Sequence, residues 1–177
     1  MTGLNKGVGK VEIALKWDPS PLGAPSHDLD LIAATYTADD PRGEPAYLVH
    51  FDSRAPDGTI TLQRHSETGQ GFGADEVLTL EFERIAPRYA RVVVGVAIQQ
   101  GAGRMTFGAV TGTRVYVRDG HEELAADDFA SVAGATAATV AEFVRVDSGT
   151  WQFRPVLHGF DADPASFSAL MGSVPGS

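Results

Sequence analysis

The chain alternates between short runs in which every second residue is apolar and polar breaks rich in glycine and proline. Residues 11–17 (VEIALKW) place Val11, Ile13, Leu15 and Trp17 on one face, the period-two signature of a half-buried strand. Residues 29–37 (LDLIAATYT), 46–51 (AYLVHF) and 60–63 predict three more strands. Residues 77–85 (VLTLEFERI) set Leu78, Leu80 and Phe82 against Thr79, Glu81 and Glu83. Residues 91–99 (RVVVGVAIQ) are apolar and β-branched almost throughout, which predicts a central strand covered on both faces. A further strand falls within residues 107–118. Residues 138–146, the turn DSGT and residues 151–157 read as a hairpin.

The breaks carry turn chemistry. DPSPLGAPS, residues 18–26, holds three prolines and a glycine, and PDG at residues 56–58 is a strong turn signal. Residues 121–134 leave a short helix or a polar loop open. Asp163 followed by Pro164 caps a short closing helix, ASFSALM. Eight or nine short strands at regular spacing predict an all-β fold. The expectation is a β-sandwich of two packed, mainly antiparallel sheets with one or two short helices, forming a single domain over residues 1–177.

Composition narrows the function. A formal net charge of −9 and a pI near 4.9 argue against nucleic-acid binding, which needs a basic surface. Absence of cysteine excludes a disulfide framework, a thiolate metal site and a cysteine nucleophile. No apolar run has the length of a membrane span, and the amino terminus lacks a signal-like apolar stretch, so a cytoplasmic protein is expected.

The chemically suggestive stretch is RHSETGQGFGADE, residues 64–76. Gly69, Gly71 and Gly73 alternate and are followed by Asp75 and Glu76. Alternate glycines let a backbone fold tightly, and inward carbonyls beside a carboxylate pair suit a hard cation such as Ca²⁺. Asp28 and Asp30 in HDLDLIA offer a second acidic pair; the competing reading is a hairpin loop whose acids face water. Asp30 opens an otherwise apolar strand, so it needs a cation, an arginine or solvent.

Other chemistry is weaker. GQGFG lacks the G-x-G-x-x-G spacing and precedes a strand, not a helix. His27 with His65, Asp28 and Glu76 would suit Zn²⁺ if the two histidines met. No G-x-S-x-G elbow marks an activated serine, so no catalytic residue is assigned and no enzyme is expected. Trp17, Trp151, Phe153 and Phe160 read as sandwich core, and Arg84, Arg88 and Arg91 near Tyr89 as a solvated basic patch.

Taken in order, these pieces resemble the TerD domain of tellurium-resistance and stress-response proteins. KWD (16–18), HDLDLIA (27–33), HFDSRAPDGTI (50–60), RHSETGQGFGADE (64–76), TFGAVTGTRVYVRD (106–119) and AEFVRVDSGTWQFRPVLHGF (141–160) each match a family segment in sequence. The resemblance covers most of the chain, with a shortened amino-terminal part. It implies a β-sandwich of bacterial origin that binds Ca²⁺ through the DLD acids and the glycine loop. Carried over residue by residue, the metal set is Asp28, Asp30, Thr68, Gly69, Gly71, Asp75 and Glu76. His65, Ser66, Gln70, Phe72 and Ala74 depart from the family's oxygen-rich pattern. Fewer charged ligands predict one weakly held Ca²⁺, or a metal-free copy acting through an unidentified protein partner. Oligomeric state is left open.

Overall fold

The computed structural model describes residues 7–64, 74–101 and 103–173. Two five-stranded antiparallel sheets face each other. The first has the order β4 (Ile60–Arg64), β5 (Glu76–Glu81), β1 (Lys10–Lys16), β7 (Arg114–Asp119) and β8 (Glu122–Asp127). The second has the order β10 (Trp151–Phe160), β9 (Ala137–Arg145), β6 (Tyr89–Ile98), β2 (Leu29–Thr37) and β3 (Tyr47–Val49). The expected all-β sandwich is what the chain forms.

The alternation seen in sequence sets the core. Val11, Ile13, Leu15 and Trp17 leave β1 on one side and meet Leu78 and Leu80 of β5, with Leu29, Leu31, Val92, Val94 and Val96 opposite them. Phe82, Phe143 and Trp151 join at one end, with the Phe82 ring 4.6 Å from Phe143 and 5.0 Å from Trp151. Each such ring withdraws a large apolar area from water, about 1.5–3 kcal/mol apiece.

β6 is covered on both faces, as its composition demands. Its second face, with Ile32, Ala34 and Tyr36 of β2, lies under the one described α-helix, α1 (Pro164–Leu170). Asp163 caps that helix by accepting from Ser166 N–H at 2.8 Å, and Phe167 within it and Met171 just after it are its fully buried anchors. Gly95 makes room for the anchor: a Cβ there would lie 2.5 Å from Phe167 Cζ.

Three elements and one side chain differ from the sequence expectation. Residues 121–134, left open between helix and loop, instead contribute β8 and a 3₁₀ turn at Ala130–Val132. The turn at Gly120, φ +61°, folds β8 back on β7, and pairing with Val117 and Tyr116 overrides the helix preference of its alanines. Residues 82–84 turn into a 3₁₀ helix, so β5 ends before Phe82, although Phe82 still points inward. β3 is confined to three residues, because His50 closes a bridge to Ser53. Arg91 does not belong to a solvated patch: it is buried and ion-paired to Glu142 at 2.6 Å. Its guanidinium also donates to the carbonyls of Pro41 and Gly172, fastening the closing segment to the sheet.

Candidate functional site

Four of the proposed ligand residues lie at one end of the sandwich, where β1 and β6 leave and β2 and β5 begin. Leu15 of β1 pairs directly with Glu76, so Glu76 shares the inner face of its sheet with Leu78 and Leu80. Its side chain crosses to the other sheet and accepts from Leu31 N–H at 2.7 Å. That amide is open because β3 pairs with β2 only from Ala33 onward. The carboxyl of Glu76 therefore occupies the ladder position that a longer β3 would have taken.

Asp75, one residue earlier, turns the other way. It accepts from Trp17 N–H at 2.9 Å, while its own N–H donates to the Leu15 carbonyl at 2.8 Å. The Trp17 indole N–H donates to the His27 carbonyl at 2.9 Å, tying the exit of β1 to the entry of β2. Asp30 accepts from Gln99 Nε2 at 2.7 Å, and the Asp28 carbonyl accepts from Gln99 N–H at 2.8 Å. Gln99 therefore aligns the DLD segment against the end of β6. Nothing in the sequence marked Gln99 as part of the site; only the β2–β6 register brings it there.

The electrostatics are severe. Asp75 and Glu76 are fully buried and Asp30 is 1% exposed, whereas Asp28 is half-buried. Burial pushes the Glu76 carboxyl up to about 10. The bond from Leu31 N–H opposes this, and the charges of Asp30 and Asp28, with a hydrogen bond shared with Asp30, push it further up. At neutral pH and without a counter-charge, Glu76 holds a proton. Among the described residues, no group of three or more histidine, aspartate or glutamate side chains forms a ready metal cage. The acids approach closely enough to repel, yet several of their oxygens are engaged by backbone amides or by Gln99.

Thr68, Gly69 and Gly71, with Gly73 and the departures at His65, Ser66, Gln70 and Phe72, lie outside the described residues. So does any meeting of His65 with His27, whose imidazole is buried beside the site.

The TerD-domain sequence model matches residues 1–169. The chain belongs to the TerD-domain family. Among curated relatives it is 28% identical to the tellurium resistance protein TerD of an Alcaligenes species, over 92% of this chain and 86% of that protein. It is 27% identical to the tellurium resistance protein TerD of Serratia marcescens, with the same coverage. Among solved structures, the TerD homologue SCO6318 of Streptomyces coelicolor A3(2) superposes with a TM-score of 0.94 at 56% identity. That alignment covers 96% of this chain and all of the other. The crystal structure of SAV2460, a protein of unknown function, superposes with a TM-score of 0.93 at 59% identity, covering 94% and 98% of the two chains.

No helix among the described residues of this TerD-domain protein is long and apolar enough to cross a membrane.

Proposed function

We propose that this TerD-domain protein is a non-enzymatic binding module of a bacterial stress-response or tellurite-resistance system, working in the cytoplasm. Its site would hold one Ca²⁺ weakly. The observation that carries this reading is the meeting of Asp30 and Glu76, brought in from opposite sheets, with Asp28 close enough to add its charge. The donors are oxygens only, as a hard cation requires, and their mutual repulsion is what a divalent charge relieves. Bound Ca²⁺ would supply the positive charge that lets Asp28, Asp30 and Glu76 ionise together. Asp75 supports the site by holding Trp17 and the exit of β1. Loss of the proton from Glu76 on ion binding couples affinity to pH.

A second reading has its own observation. Glu76 and Asp75 already serve backbone amides, and the described acids do not form a cage. That arrangement suits a metal-free TerD-like domain whose site acids brace the fold while its surface binds a protein partner.

Thermal unfolding of metal-stripped protein against Ca²⁺, with Mg²⁺ and Zn²⁺ alongside, separates the two. A native-state ligand stabilises by about 2.7 kcal/mol at a hundredfold excess over Kd. A saturable Ca²⁺ shift, lost in the double variant Asp75→Ala, Glu76→Ala, supports ion binding. A flat response through millimolar Ca²⁺ leaves the partner-binding domain. A response to Zn²⁺ alone would bring His27 forward.

A further inference from the structure

A second candidate cavity lies away from the Asp75–Glu76 carboxylates. It lies between the facing edges of the two sheets, where the segment linking β3 to β4 folds over, and encloses about 530 Å³. That volume is in the range of small-molecule sites, roughly 300–1,000 Å³. Val49, Ala55, Ile60 and Leu62 give it an apolar wall. Phe51 stands at its rim with half its surface exposed.

The walls are held in place by their own bonds. His50 and Ser53 exchange backbone hydrogen bonds at 3.0 and 3.1 Å, and the Ser53 hydroxyl donates to the Leu48 carbonyl at 2.7 Å. Asp57 accepts from both the N–H and the hydroxyl of Thr59, closing the turn at Gly58, φ +71°. A site held this way needs little reordering on binding.

Two cationic or donating groups line this apolar space. Arg54 is exposed and, among the described residues, makes no hydrogen bond, ion pair or ring contact. Arg84, Arg91, Arg104 and Arg145 are committed to carboxylates or carbonyls, whereas Arg54, like Arg114, is not among the described residues, and Arg54 alone of these lines the cavity. His50 Nδ1 accepts from Asp52 N–H at 3.2 Å. A nitrogen that accepts carries no proton, so in the neutral ring the proton sits on Nε2, which remains a donor. Asp52 and Asp57, the nearest acids on the same segment, are outside ion-pair distance of Arg54.

We propose that this cavity binds a small organic anion, a phosphate or carboxylate head on an apolar or aromatic body. Arg54 and His50 Nε2 take the head, and the body lies against Phe51, Ile60 and Leu62. The guanidinium fork matches either kind of head with paired hydrogen bonds. Neither Arg54 nor His50 is one of the carboxylate-site acids, although His50 and Phe51 also line another cavity that reaches Asp30 and Gln99.

The test is a ¹H–¹⁵N NMR titration of the full chain with phenyl phosphate and with phenylacetate, set against inorganic phosphate and benzylamine. Saturable shifts centred on the amides of residues 49–62 are expected with at least one aromatic anion, and which one responds identifies the head group. Arg54→Ala should weaken that binding about tenfold or more, as loss of a charge-assisted pair does. Phe51→Ala should weaken it several-fold; Arg54 is exposed and unpartnered among the described residues, so Arg54→Ala should not move the unfolding midpoint. No saturable shift with either aromatic anion would overturn the proposal. So would equal affinity in Arg54→Ala, equally tight benzylamine, or inorganic phosphate binding as tightly as phenyl phosphate.

Discussion

Asp30 and Glu76 lie on opposite sheets and their carboxyls act on each other inside the sandwich, although 46 positions separate them in the chain. Burial, with the charge of Asp30 added to it, disfavours the ionised form of Glu76, which keeps its proton at neutral pH. The same space between the acids is where a hard cation would sit. This relationship gives the site its pH dependence.

With Glu76 raised from an ordinary 4.5 to about 10, the native state holds a proton that the unfolded chain releases across that window. Its contribution to stability is complete below about 4.5 and is lost as pH rises toward 10, at no more than about 1.4 kcal/mol per pH unit. Denaturant unfolding of metal-free protein should show stability falling between pH 6 and 9. Glu76→Gln should flatten that slope. An unchanged slope in the variant would assign the dependence to another group.

Trp17 and Trp151 are the chain's two tryptophans and sit at opposite ends of β1. Trp17 touches Asp75 and His27, whereas the Trp151 carbonyl accepts from Val8 N–H at the far end. If Ca²⁺ enters the carboxylate cluster, fluorescence should change through Trp17. Trp151→Phe should keep the change and Trp17→Phe should lose it; the reverse pattern would place any ion elsewhere.

Arg91 and Glu142 form a buried pair with only 4% and 2% of their side chains exposed. Removing one partner strands a charge, so Arg91→Met or Glu142→Leu alone should cost about 3–5 kcal/mol. The double variant should recover most of that loss. Chemical denaturation of the four-member cycle measures it, and additive losses would mean that the carbonyl contacts of Arg91, not the pair, matter.

Gly95→Ala should disturb α1, because the new methyl meets Phe167 and the Ala138 carbonyl. A cost of about 1–3 kcal/mol is expected from overpacking. Hydrogen exchange should show the loss concentrated in residues 164–173. Unchanged protection there would mean that Phe167 rotates away at no cost.

The amino-acid sequence by itself determined much of this protein. Period-two alternation placed β1 to within a residue, because a side chain in a strand has only two faces on which to lie, and the unbroken β-branched run placed β6 to within two. Asp-Pro placed the start of α1, since both its cap and its first-turn geometry are local. Six motifs in family order assigned the TerD domain, and the DLD and DE acids named four residues that the fold brings to one end of the sandwich. Tertiary structure decided the rest. The alanines of β8 became a strand because β7 offered an edge, and Arg91 became a buried ion because Glu142 stood opposite it. Gln99 entered the site through a register that no local pattern encodes. The proton on Glu76 belongs to the same class: it follows from the mutual distance of acids on two sheets and from the water excluded between them, and packing alone fixes both.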